Sequence, residues 1–190
     1  MTLKKRLRTA EEIDEAVEKM AHSILNDKRN AGEDEFALVG IYQQGVPLAE
    51  RLCDAIERFS GRRPPLARLD ISLYRDDFGK HSALPLIRET VIPFDINDTR
   101  IILVDDVLST GRTIRAALDA LTDYGRPGVI RLAVLVDRGD PEYPIRADYV
   151  GFECNPPPNH KVAVLFDGDS DGPDESGIYE VEWQQTQSEK

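Results

Sequence analysis

Two carboxylates stand side by side in the stretch IILVDDVLSTGRT, residues 101–113, and a hydroxyl-rich, glycine-bearing turn follows them at once. The acids, Asp105 and Asp106, end an apolar run, Ile101 to Val104, of the kind that forms a buried strand. Acids in such a place are costly unless they bind something. Leu108, Ser109, Thr110, Gly111, Arg112 and Thr113 lie where a loop becomes a helix. N–H groups at a helix start are unpaired, and the helix dipole favours an anion there. Gly111 lets the backbone come close, and Ser109, Thr110 and Thr113 add hydroxyl donors. The stretch reads as a phosphate cradle, without the lysine and glycine spacing of a Walker loop. A phosphate fixed by the turn puts Asp105 and Asp106 within a sugar's length of it, where they can accept hydrogen bonds from ribose hydroxyls or hold Mg2+ through water.

Two other readings of the acids exist. An acid pair at a strand end can simply cap the next helix. A phosphorelay receiver domain also carries paired acids, but after its first strand; here they follow the third, and the phosphate turn comes immediately. The complete string is far more specific than the acid pair alone.

The elements that must position these residues alternate. Thr9 and Glu12 form a capping box before a helix whose apolar face is Ala10, Ile13, Val17, Met20, Ile24 and Leu25. FALVGI (36–41) reads as a buried strand, and VPLAERLCDAIERF (46–59) as an amphipathic helix with Pro47 near its start. PLARLDISLY (65–74) reads as a strand in which Leu66, and then Leu69, Ile71 and Leu73, alternate with polar or small residues. RDDFGKHSAL (75–84) has no period and reads as a mobile loop. TRIILVD (99–105) is a strand, and TIRAALDALTDYG (113–125) a helix closed by Gly125 as a left-handed cap. VIRLAVLVD (129–137) and the shorter RADYVGF (146–152) follow as strands, and NPPPN (155–159) must be extended or turned. KVAVLF (161–166) and GIYEVEW (177–183) read as an antiparallel pair at the sheet edge. This order predicts an α/β fold with a mostly parallel sheet, helical crossovers and a C-terminal antiparallel hairpin. Ligands in such folds bind beyond the carboxyl ends of strands. Four such ends, at 42–45, 74–77, 105–113 and 137–139, carry polar or glycine-bearing turns and should converge on one cleft.

The totals narrow the function. The chain has 190 residues, enough for one domain with a proper core and no linker to split it. Its net charge is −11, from 24 basic and 35 acidic residues, which disfavours a nonspecific polyanion binder but permits a local basic patch. No apolar run approaches a membrane span, and the start has basic residues without the apolar core of a secretory signal. Cys53 and Cys154 have neither metal-ligand nor redox spacing and read as free thiols of a cytoplasmic protein. DGDSDGPDES (167–176) reads as a solvated loop; it lacks the twelve-residue pattern and closing Glu of a calcium loop.

The residues also carry a resemblance. IILVDDVLSTGRT resembles the phosphoribosyl pyrophosphate (PRPP) motif of type I phosphoribosyltransferases. More narrowly, LDISLYRDD, RIILVDDVLSTGRTIRAALDAL and GRPGVIRLAVLVDRG with PIRADYVG look like the PyrR family, the bifunctional pyrimidine operon attenuators and uracil phosphoribosyltransferases. The resemblance covers nearly the whole chain and implies the type I phosphoribosyltransferase fold. It implies one domain over 1–190: an N-terminal helix within 1–30, a flexible lid over 74–93, and a hood with the C-terminal strands over 137–190.

By position, the resemblance implies that Asp105 and Asp106 bind the ribose, with Mg2+ nearby, and that Leu108 to Thr113 hold the 5′-phosphate. Gln43, Gln44 and Gly45 occupy the pyrophosphate loop. Tyr74, Arg75, Asp76 and Asp77 belong to the lid, where Arg75 neutralises the leaving pyrophosphate, and Asp137 and Arg138 sit at the base pocket. The implied reaction is uracil plus PRPP to UMP plus pyrophosphate, in a homodimer or higher homo-oligomer; another base, or a UMP-responsive RNA-binding attenuator, is the alternative. His22 and Arg146 match positions used for RNA, although a plain surface histidine fits the mixed face around His22. Three departures stand out. Gln43-Gln44-Gly45 replaces the family's Thr-Arg-Gly, Asp140-Pro141 replaces a His-Arg pair, and Phe152 replaces a lysine. The first removes a charge-assisted contact to pyrophosphate and implies reduced activity; the others remove cations that RNA phosphates would need.

Overall fold

The structure, a computed structural model, describes residues 2–30, 36–76, 88–166 and 176–182. A five-stranded parallel sheet in the order β3-β2-β4-β5-β6 forms its centre. Its strands are β2 (Phe36–Ile41), β3 (Leu66–Leu69), β4 (Arg100–Leu108), β5 (Val129–Asp137) and β6 (Tyr149–Glu153). β2 and β4 are near-continuous apolar runs because helices cover both faces of a parallel sheet. Along β4, Ile102 and Val104 pack with α1 (Ala10–Asn26) and α2 (Gly45–Ser60), while Ile101 and Leu103 pack with α3 (Arg112–Thr122). Strand alternation thus divides one run of residues between two cores.

The helices start and stop for local reasons. Thr9 Oγ1 accepts the Glu12 N–H while the Glu12 carboxylate accepts the Thr9 N–H, so the capping box forms as expected. At the other end of α1, Asp27 accepts the Tyr149 hydroxyl at 2.7 Å and pairs with Arg29, tying the helix to β6. These bonds hold the Asp27 carboxyl well below the usual range, Arg29 contributing most. α2 ends on Gly61, whose φ of 74° lets its N–H reach the Glu57 carbonyl at 2.8 Å.

α3 ends at Thr122, not at a left-handed cap on Gly125. The N–H groups of Asp123 and Tyr124 turn to the carbonyls of Ala120 and Leu121, three residues back, which tightens and closes the last turn. Gly125 has φ 146°, outside the left-handed cap region, and answers a packing need: a Cβ there would strike the Ile96 side chain and stand 2.9 Å from Asn97 Oδ1. The strand expected over 65–74 also stops early, at Leu69. The Asp70 carboxylate accepts the Ser72 N–H at 2.7 Å and bends the backbone out of the sheet. Leu73, expected to face inward, is 63% exposed.

The C-terminal pair does not extend the parallel sheet. β7 (His160–Leu165) and β8 (Gly177–Glu182) are antiparallel, as expected, but they join β1 (Thr2–Arg8) in a separate sheet ordered β1-β8-β7. β1 went unread because TLKKRLR offers no apolar alternation; β8 supplies the ladder that makes it a strand. This sheet sinks Val164 and Ile178, with Phe166 beside β7, into the α1–α2 core. The chain after Asp137 therefore divides between two sheets, since β6 pairs with β5 at the edge of the parallel one.

Candidate active site

A cavity of about 500 Å³ opens beyond the carboxyl ends of β2, β3 and β4. Its lining brings together Gln43, Gln44, Arg75, Asp105, Asp106 and Thr113, six residues nominated by sequence from three separate stretches. Tyr42, Asp70, Ser72 and Arg88 complete its polar wall.

The approach of the first stretch depends on glycine. Gly45, the first residue of α2, lies so close to β4 that a Cβ would stand 2.5 Å from the Val104 carbonyl oxygen and 3.1 Å from Asp105 Cα. Gly40 allows the same approach from below, its Cβ position being 2.8 Å from the Gly45 carbonyl oxygen. The turn before α2 can therefore sit directly against the acid-bearing end of β4. The Tyr42–Gln43 peptide in that turn is cis.

Asp105 and Asp106 lie within β4, not after it, and Asp105 is only 4% exposed. Burial raises the Asp105 carboxyl well above its ordinary value, the adjacent Asp106 charge raises it further, and Arg75 opposes the rise. Burial raises Asp106 as well. Two neighbouring carboxylates in a cavity wall repel each other unless a cation or hydrogen-bond donors meet them. Asp70, close by, behaves oppositely. Burial pushes it up, but the Ser72 side chain, the N–H groups of Arg88 and Ser72, and the nearby Arg88 charge outweigh that and hold it low.

The turn nominated for phosphate leads directly into α3. Gly111 has φ 87°, a conformation that suits glycine, and precedes α3 with no side chain capping the helix. The Arg115 N–H reaches the Gly111 carbonyl at 2.9 Å, so α3 begins at the turn. Of the stretch, only Thr113 lines the cavity. Leu108 is core. The Thr110 carbonyl accepts the N–H groups of Glu142 and Tyr143, and the Ser109 hydroxyl bonds Asp140 Oδ1 at 3.1 Å, so the chain after β5 folds over the turn. Arg112, nominated for phosphate, forks onto Glu142 at 2.7 and 3.0 Å, meets Asp76 at 2.6 Å, and lies over the Tyr143 ring. Its guanidinium ties the start of α3 to that loop and to the residues after β3, and those acids hold its protonated form more firmly.

Other nominated residues stand outside the cavity lining. Asp137 ends β5 opposite Leu108 and accepts the Gly139 N–H, while Arg138 donates its N–H to the Leu108 carbonyl and pairs with Asp140 at 3.1 Å. Tyr74 bonds Asp123 through its hydroxyl. Asp77 lies outside the described residues. His22 and Arg146 are both exposed, on α1 and in the loop before β6. The His22 ring stacks on Phe59 with centroids 3.9 Å apart.

Asp70 and Arg88 were missed by sequence. Asp70 sits in an alternating strand pattern that gives an acid no special weight, and nothing in LPLIRETV (84–91) marks Arg88.

The donor set suits a magnesium ion. Among the described residues no group of three or more His, Cys, Asp or Glu could hold a metal. Asp105 and Asp106 offer the one or two carboxylates that Mg2+ takes when substrate oxygens and water complete its shell.

Comparison with known proteins identifies the family and the fold. The phosphoribosyl transferase domain family matches residues 5–170. The Bifunctional protein PyrR of Deinococcus radiodurans is 49% identical over 174 residues, covering 92% of this chain and 93% of that one. The chain belongs to the PyrR family. The Bifunctional protein PyrR of Thermus aquaticus is 48% identical over 182 residues, covering 96% and 99% of the two chains. The PyrR-like chain shares its fold with hypoxanthine phosphoribosyltransferases. That of Trypanosoma cruzi superposes with a TM-score of 0.68 at 20% identity, covering 93% of this chain and 96% of that one. The hypoxanthine-guanine enzyme of Bacillus anthracis gives 0.67 at 18% identity, covering 95% and 99%. These low identities speak for the fold. Among the described residues, no helix is long and apolar enough to cross a membrane.

Proposed function

We propose that this phosphoribosyltransferase joins uracil to the ribosyl phosphate of PRPP, releasing pyrophosphate and forming UMP. The observation that carries the reading is the paired acids at the cavity wall, one strand end away from a glycine turn that starts a helix without a side-chain cap. A phosphate on that turn leaves the attached ribose facing Asp105 and Asp106.

The reacting C1 passes through an oxocarbenium-like state as the base replaces pyrophosphate, so the protein's work is positioning and charge stabilisation. Asp105 and Asp106 accept hydrogen bonds from the ribose hydroxyls, and their negative charge favours the cationic sugar. Thr113 and the N–H groups at the start of α3 hold the 5′-phosphate. Gln43 and Gln44, with the backbone of their turn, face the pyrophosphate, and Arg75 meets its charge. Mg2+ held by Asp105 and Asp106 would supply neutralising charge for the pyrophosphate. Residues 74–76 open the lid, whose middle, 77–87, lies outside the described residues, and Thr90 and Val91 anchor its far end to β3; Asp137 and Arg138 border the base. Retained but reduced turnover is expected, because Gln44 brings an amide where a guanidinium would bind more strongly.

Incubation with uracil, PRPP and Mg2+ tests the reading, with hypoxanthine, guanine and cytosine in parallel. UMP and pyrophosphate should appear in equal amounts. No turnover at high enzyme concentration overturns the reading, and faster turnover of another base corrects its specificity.

A second reading, a UMP-responsive RNA-binding regulator, draws on the exposed His22–Phe59 stack, a surface on which an unpaired base could lie. Asp140 and the net charge of −11 weigh against it. Binding to pyrimidine-gene leader RNA, titrated against salt, should be weak; a tight, sequence-specific complex would favour the regulator.

A further inference from the structure

On that reading the cavity must hold a pyrophosphate, and its wall must supply positive charge. Among the described residues that line it, three are acids, Asp70, Asp105 and Asp106, and two are cations, Arg75 and Arg88. The turn from Tyr42 to Gly45 contributes two amides and no charge. A guanidinium must reach the leaving group from elsewhere.

Arg88 differs from the other arginines near the site. Arg68 pairs with Glu50 at 2.8 Å, Arg138 with Asp140, and Arg112 with both Asp76 and Glu142. Among the described residues the Arg88 guanidinium makes no ion pair; it lies over the Tyr42 ring, 5.3 Å from the centroid. An arginine stacked on a ring keeps its N–H edges free to fork onto a phosphate.

Its backbone is also fixed. The Arg88 N–H is held by the Asp70 carboxylate, and the Asp70 N–H is held by Thr90 Oγ1 at 3.0 Å. Arg68 and Val91 exchange two backbone hydrogen bonds of 2.9 Å just beyond. These bonds knit the chain around Arg88 to the end of β3. The side chain is therefore half-buried, braced at its base, and laid on the residue that precedes Gln43.

We propose that Arg88 is a pyrophosphate-binding residue. Tyr42 and Asp70 position its guanidinium beside Gln43 and Gln44, where it supplies the charge that this turn lacks. The proposal rests on the phosphoribosyltransferase reading of the cavity.

The test is calorimetric binding to the full chain with Mg2+, using PRPP, inorganic pyrophosphate and UMP as separate titrants. UMP lacks the pyrophosphate and reports the rest of the site. Arg88→Ala should weaken PRPP and pyrophosphate by about tenfold to a hundredfold, the range of one charge-assisted contact, and leave UMP within about twofold. Arg88→Met keeps an apolar stem on the ring and reads the charge alone should the alanine variant fold poorly; it should lose pyrophosphate affinity to the same extent. Gln44→Arg added to either variant should restore part of it. Unchanged pyrophosphate and PRPP affinity in Arg88→Met overturns the proposal, as does an equal loss of UMP, which marks a purely structural role. A wild-type chain that binds UMP but gains nothing from the pyrophosphate of PRPP also overturns it, with the nucleotide site intact. A wild-type chain that binds neither PRPP nor UMP removes the underlying reading, and the proposal with it.

Discussion

The two walls of the cavity are made differently. The wall of β4 and α3 comes from one stretch, residues 101–113, and presents two carboxylates, Asp105 buried and Asp106 half-buried, beside the start of a helix. The facing wall is gathered from the turn after β2, the end of β3 and the chain at Arg88, segments far apart in sequence. Its contributions are side chains braced by contacts between those segments: the Arg88 guanidinium on Tyr42, and the Asp70 carboxylate on the N–H groups of Ser72 and Arg88. A contiguous wall carries its chemistry in local geometry. An assembled wall depends on how closely the segments approach, and Gly45 against the Val104 carbonyl is the tightest such approach at the site.

Four substitutions would sharpen or break this contrast. Asp106→Asn removes charge from the contiguous wall without changing shape; UMP formation should fall about a hundredfold or more, the scale of one group stabilising a transition state, with an unchanged circular dichroism spectrum. Equal rates would take the acids out of the reaction. Gly45→Ala attacks the close approach of the other wall. Its methyl group meets backbone atoms that cannot swing aside, so we expect about 1–3 kcal/mol of lost stability in denaturant titrations and a roughly tenfold fall in kcat/KM from misplacement of the turn.

Asp105→Asn should act on stability in the opposite direction. The raised Asp105 carboxyl keeps its proton in the folded state over a range where the unfolded chain, near the ordinary value of 3.8, has lost it. The folded state then binds more protons, so stability falls as pH rises through that interval. Asparagine abolishes this titration. Thermal melts should show the variant more stable than wild type by about 2–4 °C near pH 8, with the gain vanishing toward pH 4. A gain independent of pH would show that the acid is not strained by burial. Asp76→Ala is expected to do least. It deletes one exposed contact of Arg112, which keeps Glu142, and Tm should stay within about 1 °C.

Much of this was legible in advance, where the information is local. The capping box at Thr9, the buried run of β4 and the glycine at 111 each follow from a few adjacent residues. The string 101–113 held the acids and the glycine turn together because the chain passes through both in order. Misreadings arose where a partner outside the window decides. β1 needs β8 to be a strand, Asp70 ends β3 by taking the Ser72 N–H, and Gly125 is required by Ile96 and Asn97, not by the helix before it. Arg112 shows the same limit within the motif: its position is set locally, but Asp76 and Glu142 decide where its guanidinium goes.

By itself, then, the sequence determined the order of elements from α1 onward, the parallel sheet and the wall that holds the acids, because hydrophobic period and turn chemistry act over a few residues. Only the tertiary structure decided what faces that wall. Which cations reach the cavity depends on ion pairs and ring contacts between distant segments. That selection occupied Arg112 with Glu142 and Asp76, and left the guanidinium of Arg88 resting on Tyr42 at the cavity's edge.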